Sequence, residues 1–185
     1  MKAFEQLDQP FFDELSLNTT QTDLLPQALL SAHPHTWTMS GEGVFSWTVF
    51  KLYRARLFVS GARYDVSQPF VLDLSYLRTL PAEMIVSASI DELKRLRQPA
   101  PEVLQSWSDT LHRIVPDVTL DDRLVGCFTP GQGVSFYSAT ALLGEISDPA
   151  FAEAFAAIWL DPETRSSSLR ASLLGEGAVT LKEGI

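Results

Sequence analysis

Few residues of this chain stand in arrangements that could do chemistry. His33 and His35 flank Pro34. At i and i+2 they would share one face of a strand and could offer two nitrogens to a metal. No third ligand stands near them in sequence, so they read as loop histidines and no metal site is expected. His112 falls on the helical stretch that carries Trp107 and Leu111 and reads as a boundary residue, not a base. Cys127 lies in a strand-like run without a histidine partner, which makes it a poor nucleophile candidate. As the single cysteine it also excludes an internal disulfide. Gly131-Gln132-Gly133 follows Pro130 and reads as a turn; no nucleotide-binding or nucleophile-elbow pattern is present, and no cofactor is implied.

Two features remain. Lys51 interrupts an apolar parity, so it is either an inward-facing amine or a residue turned to solvent by a bulge near Phe50. The aromatic residues Trp47, Phe50, Tyr53, Phe136, Tyr137, Phe155 and Trp159 either fill the core or line an apolar cleft. The candidate ligand-binding set is therefore Trp47, Phe50, Lys51, Tyr53, Phe136, Phe155 and Trp159.

The elements that must position these residues follow from periodicity. From Thr36, Phe45, Trp47, Val49, Tyr53, Ala55, Leu57 and Val59 share one parity, the pattern of a long strand or hairpin. Phe70, Leu72, Leu74 and Tyr76 alternate cleanly and predict another strand. Thr79 can cap a helix opened by Pro81, and Ser89–Glu92 has capping-box spacing that would split the stretch 82–97 or arise by chance within it. Leu104, Trp107, Leu111 and Ile114 recur at helical spacing up to Pro116. Strands are predicted at Leu124–Phe128, Val134–Tyr137 and Ala141–Ile146, with Pro130-Gly131 central in a type II turn. Asp148-Pro149 can cap a helix that presents Phe151, Phe155, Ile158 and Trp159 on one face. A last helix runs from about Ser167 to Leu174, with Leu169 and Leu173 inward and Gly175 at its C-cap.

The 185 residues, 45% apolar and 20% charged, suffice for one domain with a full core. The formal charge of -9 excludes nucleic acid as an expected partner and disfavours an anionic membrane surface. No apolar run approaches the ~20 residues that span a bilayer, and no leader pattern is present. A cytoplasmic protein is expected, or a mature periplasmic one if a leader is removed. Residues 1–31, with Glu5, Asp8, Asp13, Glu14 and Asp23 against Lys2, read as an acidic N-terminal extension. Residues 32–175 read as the domain and 176–185 as a mobile tail. The fold class expected is α+β, an antiparallel sheet covered by a layer of helices.

Several blocks in one order resemble the chalcone isomerase-like family, and bacterial members in particular: Phe70–Arg78, Pro116-Asp117-Val118 before Asp122-Arg123-Leu124, Pro130–Tyr137, Gly144–Phe151, Ile158–Pro162 and Leu169–Gly175. The resemblance implies an open-faced β-sandwich with a cleft between sheet and helices. It also implies, for active members, an arginine early in the first long strand that polarises a carbonyl or holds a fatty-acid carboxylate. That motif falls on Gly41–Ser46, where there is no arginine. The tyrosine the family uses falls near Met84 or Ile85, and its later hydroxyl residue near Gly144. The expectation is a domain without catalysis that binds a small apolar, amphipathic or fatty-acid-like ligand. The alternatives are an isomerase or intramolecular lyase acting through a relocated cation, Lys51 or Arg54, and a purely structural interaction module.

Overall fold

The alternation that begins near Thr36 is a hairpin. In the computed structural model, which describes residues 24–176, strands β1 (Thr38–Trp47) and β2 (Phe50–Val59) join through Thr48-Val49, with Thr48 at φ +54°. Phe45 pairs with Tyr53 and Ser46 with Lys51, so the extra residue is Leu52, two positions from Phe50 and close to where the bulge is expected. The bulge has the expected consequence: Lys51 is exposed.

Strand β3 (Phe70–Tyr76) follows, then helices α2 (Ala82–Arg97) and α3 (Pro101–Ile114). Helix α2 is one piece. Ser89 Oγ donates to the Ile85 carbonyl at 2.8 Å, so its capping-box spacing does no capping. Nor does Thr79 cap the helix. The Ala82 N–H donates to Asp117 Oδ1 at 2.7 Å, a cap supplied from the loop after α3.

Strands β4 (Arg123–Thr129), β5 (Gly133–Tyr137) and β6 (Leu142–Ile146) complete the sheet. Gly131 takes φ +72° and the Gln132 N–H donates to the Thr129 carbonyl at 3.0 Å, as a type II turn requires. Helix α4 (Pro149–Leu160) starts from Asp148, whose carboxylate accepts from the Ala150 and Phe151 N–H groups. Helix α5 (Ser167–Leu173) buries Leu169 and Leu173. A short α1 (Gln27–Ala32) precedes the sheet.

The six strands run in the order β1-β2-β3-β4-β5-β6, each antiparallel to its neighbour. Helices α2 to α5 cover one face. The fold is α+β, as expected. On the helix-covered face, Leu57, Leu72, Phe128, Val134 and Phe136 pack against Leu93, Leu111, Phe151 and Phe155. Phe151 and Phe155 stack at 5.1 Å and Phe155 meets Phe136 edge-on at 5.6 Å. The opposite face buries Phe58, Val71, Val125, Cys127 and Tyr137 beneath Leu25, Leu29 and Trp37. Residues 24–31 of the stretch read as an acidic extension thus cover part of that second face. The remainder of it, and residues 177–185, lie outside the described residues.

Candidate functional site

The position on which the resemblance places a cation is closed by glycine. A Cβ on Gly41 would overlap the Ser172 carbonyl oxygen and come within 2.8 Å of the Leu173 carbonyl oxygen; one on Gly43 would come within 2.8 Å of Leu169 Cδ1. Helix α5 therefore lies directly on β1, in the space side chains there would take. Gly144 repeats this at the far edge, where a Cβ would sit 2.8 Å from Ile114 Cγ1. Met84 is exposed and Ile85 half-buried. Deeper in the same end, Trp159 Nε1 donates to the Tyr53 hydroxyl at 3.0 Å, and Phe45 stacks on Tyr53 at 5.1 Å. Burial holds the Tyr53 phenol far above its ordinary pKa, so it stays neutral.

The opposite end of the same sheet–helix interface is open. A cleft of ≈ 460 Å³ lies between α4, the 61–69 loop and the Pro130-Gly131 turn. Phe70 and Phe128, paired across β3 and β4, stack at 4.6 Å and form its floor. Ala152, Ala156 and Ala157 on α4 keep the wall low, because they project only methyl groups. Tyr64, edge-on to Phe70 at 5.1 Å, closes one side. Its loop is held in shape: Ser60 Oγ donates to the Pro69 carbonyl, and Asp65 Oδ1 accepts from the Ser67 N–H and hydroxyl. At the rim stand Arg97, Glu153 and Asp161. Arg97 Nη2 donates to Asp161 Oδ2 at 2.8 Å. The Glu163 N–H and then Arg97 hold the Asp161 carboxyl below the ordinary carboxylate range.

The seven residues proposed from sequence fall into two groups. Trp47 and Phe50 stand exposed at the hairpin tip, with Lys51 beside them and the Arg78 guanidinium 4.8 Å over the Phe50 ring. Phe136, Phe155 and Trp159 are buried among core side chains, and Tyr53 packs with Trp159. None of the seven lines the open cleft. Its lining passed unmarked because alanines on a helix and a phenylalanine in a strand carry no chemical signal of their own.

The other groups considered are accounted for structurally. Burial pushes the Cys127 thiol up to about 12, which removes its nucleophilic form at neutral pH. His33 lies 3.2 Å from the Tyr137 hydroxyl, its pKa lowered by burial and then by His35. His112 bonds Glu83 at 2.8 Å on an exposed surface, which raises its pKa. No group of three or more metal-ligating side chains occurs among the described residues. None of their helices is long and apolar enough to cross a membrane. Arg123 is a structural cation: Nε and Nη2 grip the wholly buried Asp73 at 3.1 and 2.8 Å, and Nη2 also donates to the Leu24 carbonyl.

Comparison with known proteins agrees with this architecture. An uncharacterised protein of Haemophilus influenzae is 26% identical over 141 residues, which is 76% of this chain and 69% of that protein. The crystal structure of an Arabidopsis thaliana fatty-acid binding protein superposes with a TM-score of 0.60 at 12% identity, covering 76% of this chain and 87% of that one. The model of the family described as chalcone isomerase-like matches residues 21–175. The chain belongs to the chalcone isomerase-like family.

Proposed function

We propose that this protein is a non-catalytic binding domain that holds a small apolar or amphipathic molecule in the open cleft between α4 and the sheet. The observation that carries this reading is the cleft itself: an aromatic floor and an alanine wall, with the charged groups at the rim and the Tyr64 and Thr129 hydroxyls in the lining. That is the usual composition of a small-molecule pocket, whose volumes run from about 300 to 1,000 Å³. The fatty-acid binding protein of the same fold provides a precedent for ligand binding on this scaffold. The closed end argues in the same direction. Gly41 and Gly43 leave no room there for a cationic side chain, and apolar Ile114 packs where the later hydroxyl would stand.

The relocated-cation reading draws little support from the geometry. Lys51 is exposed, and Arg54, half exposed, pairs with Glu42 at 3.6 Å. Neither borders the cleft.

The test is uptake of the neutral fluorophore N-phenyl-1-naphthylamine. The unaltered protein is expected to enhance its emission. Ala156→Phe, which pushes a ring into the cleft, is expected to abolish most of that gain while keeping the far-ultraviolet circular dichroism. The milder Ala152→Leu should weaken it. Equal uptake by all three proteins, or none by the unaltered chain, contradicts the reading.

A further inference from the structure

We infer that the molecule held in this cleft carries an uncharged hydrogen-bonding head, an alcohol or amide on a single apolar chain, and not a carboxylate; this rests on the binding reading above. The rim decides it. Among the described residues, Arg97 is the only cation lining the cleft, against two carboxylates, Glu153 and Asp161. That cation is already engaged: Nη2 with Asp161 at 2.8 Å and Nη1 with the Leu96 carbonyl at 3.2 Å. A ligand carboxylate would compete with Asp161 for one guanidinium and face two like charges as it left water. An anion desolvated without a free partner is strongly disfavoured.

An uncharged head has partners that cost nothing to recruit. Tyr64 and Thr129 bring hydroxyls to the lining, and neither side-chain hydroxyl is engaged in a hydrogen bond with Arg97, Glu153 or Asp161. Each can donate to or accept from an alcohol or amide. The phenol of Tyr64 is protonated near neutral pH, as an ordinary tyrosine is, and burial raises its pKa further, so it is a donor. Arg170, on α5, is a further cation near Tyr64 and Asp161, but it is not part of the cleft lining and its Nε donates to the Leu160 carbonyl at 2.8 Å.

The experiment is displacement of N-phenyl-1-naphthylamine by 1-decanol and by decanoate, near neutral pH and below their micellar concentrations. Decanol is expected to displace the fluorophore at a concentration at least about tenfold lower than decanoate, the order of penalty for an unpartnered charge. Asp161→Asn keeps the shape and the acceptor for the Glu163 N–H, but removes one carboxylate and frees Arg97. It should narrow the gap between the two ligands several-fold. Displacement by decanoate at equal or lower concentration overturns the inference, as does a gap unchanged in Asp161→Asn or a failure of decanol to displace bound fluorophore. No uptake of fluorophore by the unaltered protein instead overturns the binding reading on which this depends.

Discussion

Gly41→Ala is expected to lower stability by about 3 kcal/mol, the upper part of the range for overpacked sites. The added methyl would overlap the Ser172 carbonyl oxygen and crowd the Leu173 carbonyl at 2.8 Å. Both obstacles are backbone, so no rotamer change relieves them. Helix α5 must lift from β1, which withdraws Leu169 and Leu173 from the core they now fill. Gly41 is not required by its dihedral angles, because it is not among the positive-φ positions. The effect is therefore one of space alone. Urea unfolding followed by tryptophan fluorescence checks it: the midpoint should fall with the slope unchanged. A midpoint equal to that of the unaltered protein would mean that α5 does not close this end of the interface.

Asp73→Ala is expected to cost about 3–5 kcal/mol, as when one partner of a buried ion pair is removed. Asp73 is wholly buried, and two guanidinium groups depend on it. Arg123 holds it with two hydrogen bonds. Arg56 Nε stands 3.1 Å away as an ion pair without hydrogen-bond alignment, while its Nη2 donates to Ser75 Oγ at 3.1 Å. Removing the carboxylate leaves two largely buried cations close together and weakens the anchor of Leu24, whose carbonyl Arg123 also binds. Thermal unfolding should show the loss. Combining Asp73→Leu with Arg56→Leu and Arg123→Met should recover most of it, since well-packed apolar groups often replace buried charges at little cost. A triple variant as unstable as Asp73→Ala would contradict an electrostatic origin.

These two sites mark the boundary of what the sequence discloses. The strand at Phe70–Tyr76, the Pro130-Gly131 turn and the Asp148 cap were legible because each is encoded within a few residues by alternation, by φ preference or by an N-cap side chain. At Gly41, Gly43 and Gly144 the sequence discloses only that the family's arginine and hydroxyl residue are missing, not what fills their place. The meaning of these glycines depends on α5 and Ile114, which approach from more than a hundred and about thirty residues away respectively. Asp73 looked like the polar member of an alternating strand. Its partners lie on two neighbouring strands, so only the register discloses the cluster. Thr79 was the wrong cap for α2 because Asp117, distant in sequence, reaches the free N–H first. The cleft was least legible of all. It is defined by what Ala152 and Ala156 leave empty, and absence of bulk has no motif.

On the proposed reading, ligand enters the Phe70–Phe128 end of the sheet–helix interface and not the Gly41–Tyr53 end. Amide chemical-shift mapping during titration with 1-decanol tests it most directly. The expected result is that shifts concentrate at Thr129, Gly131, Ala152 and Ala156, which line the cleft, while Gly41, Gly43 and Tyr53 stay still. Shifts that instead centre on Gly41, Gly43 and Tyr53, or a spectrum unmoved by saturating ligand, would contradict it.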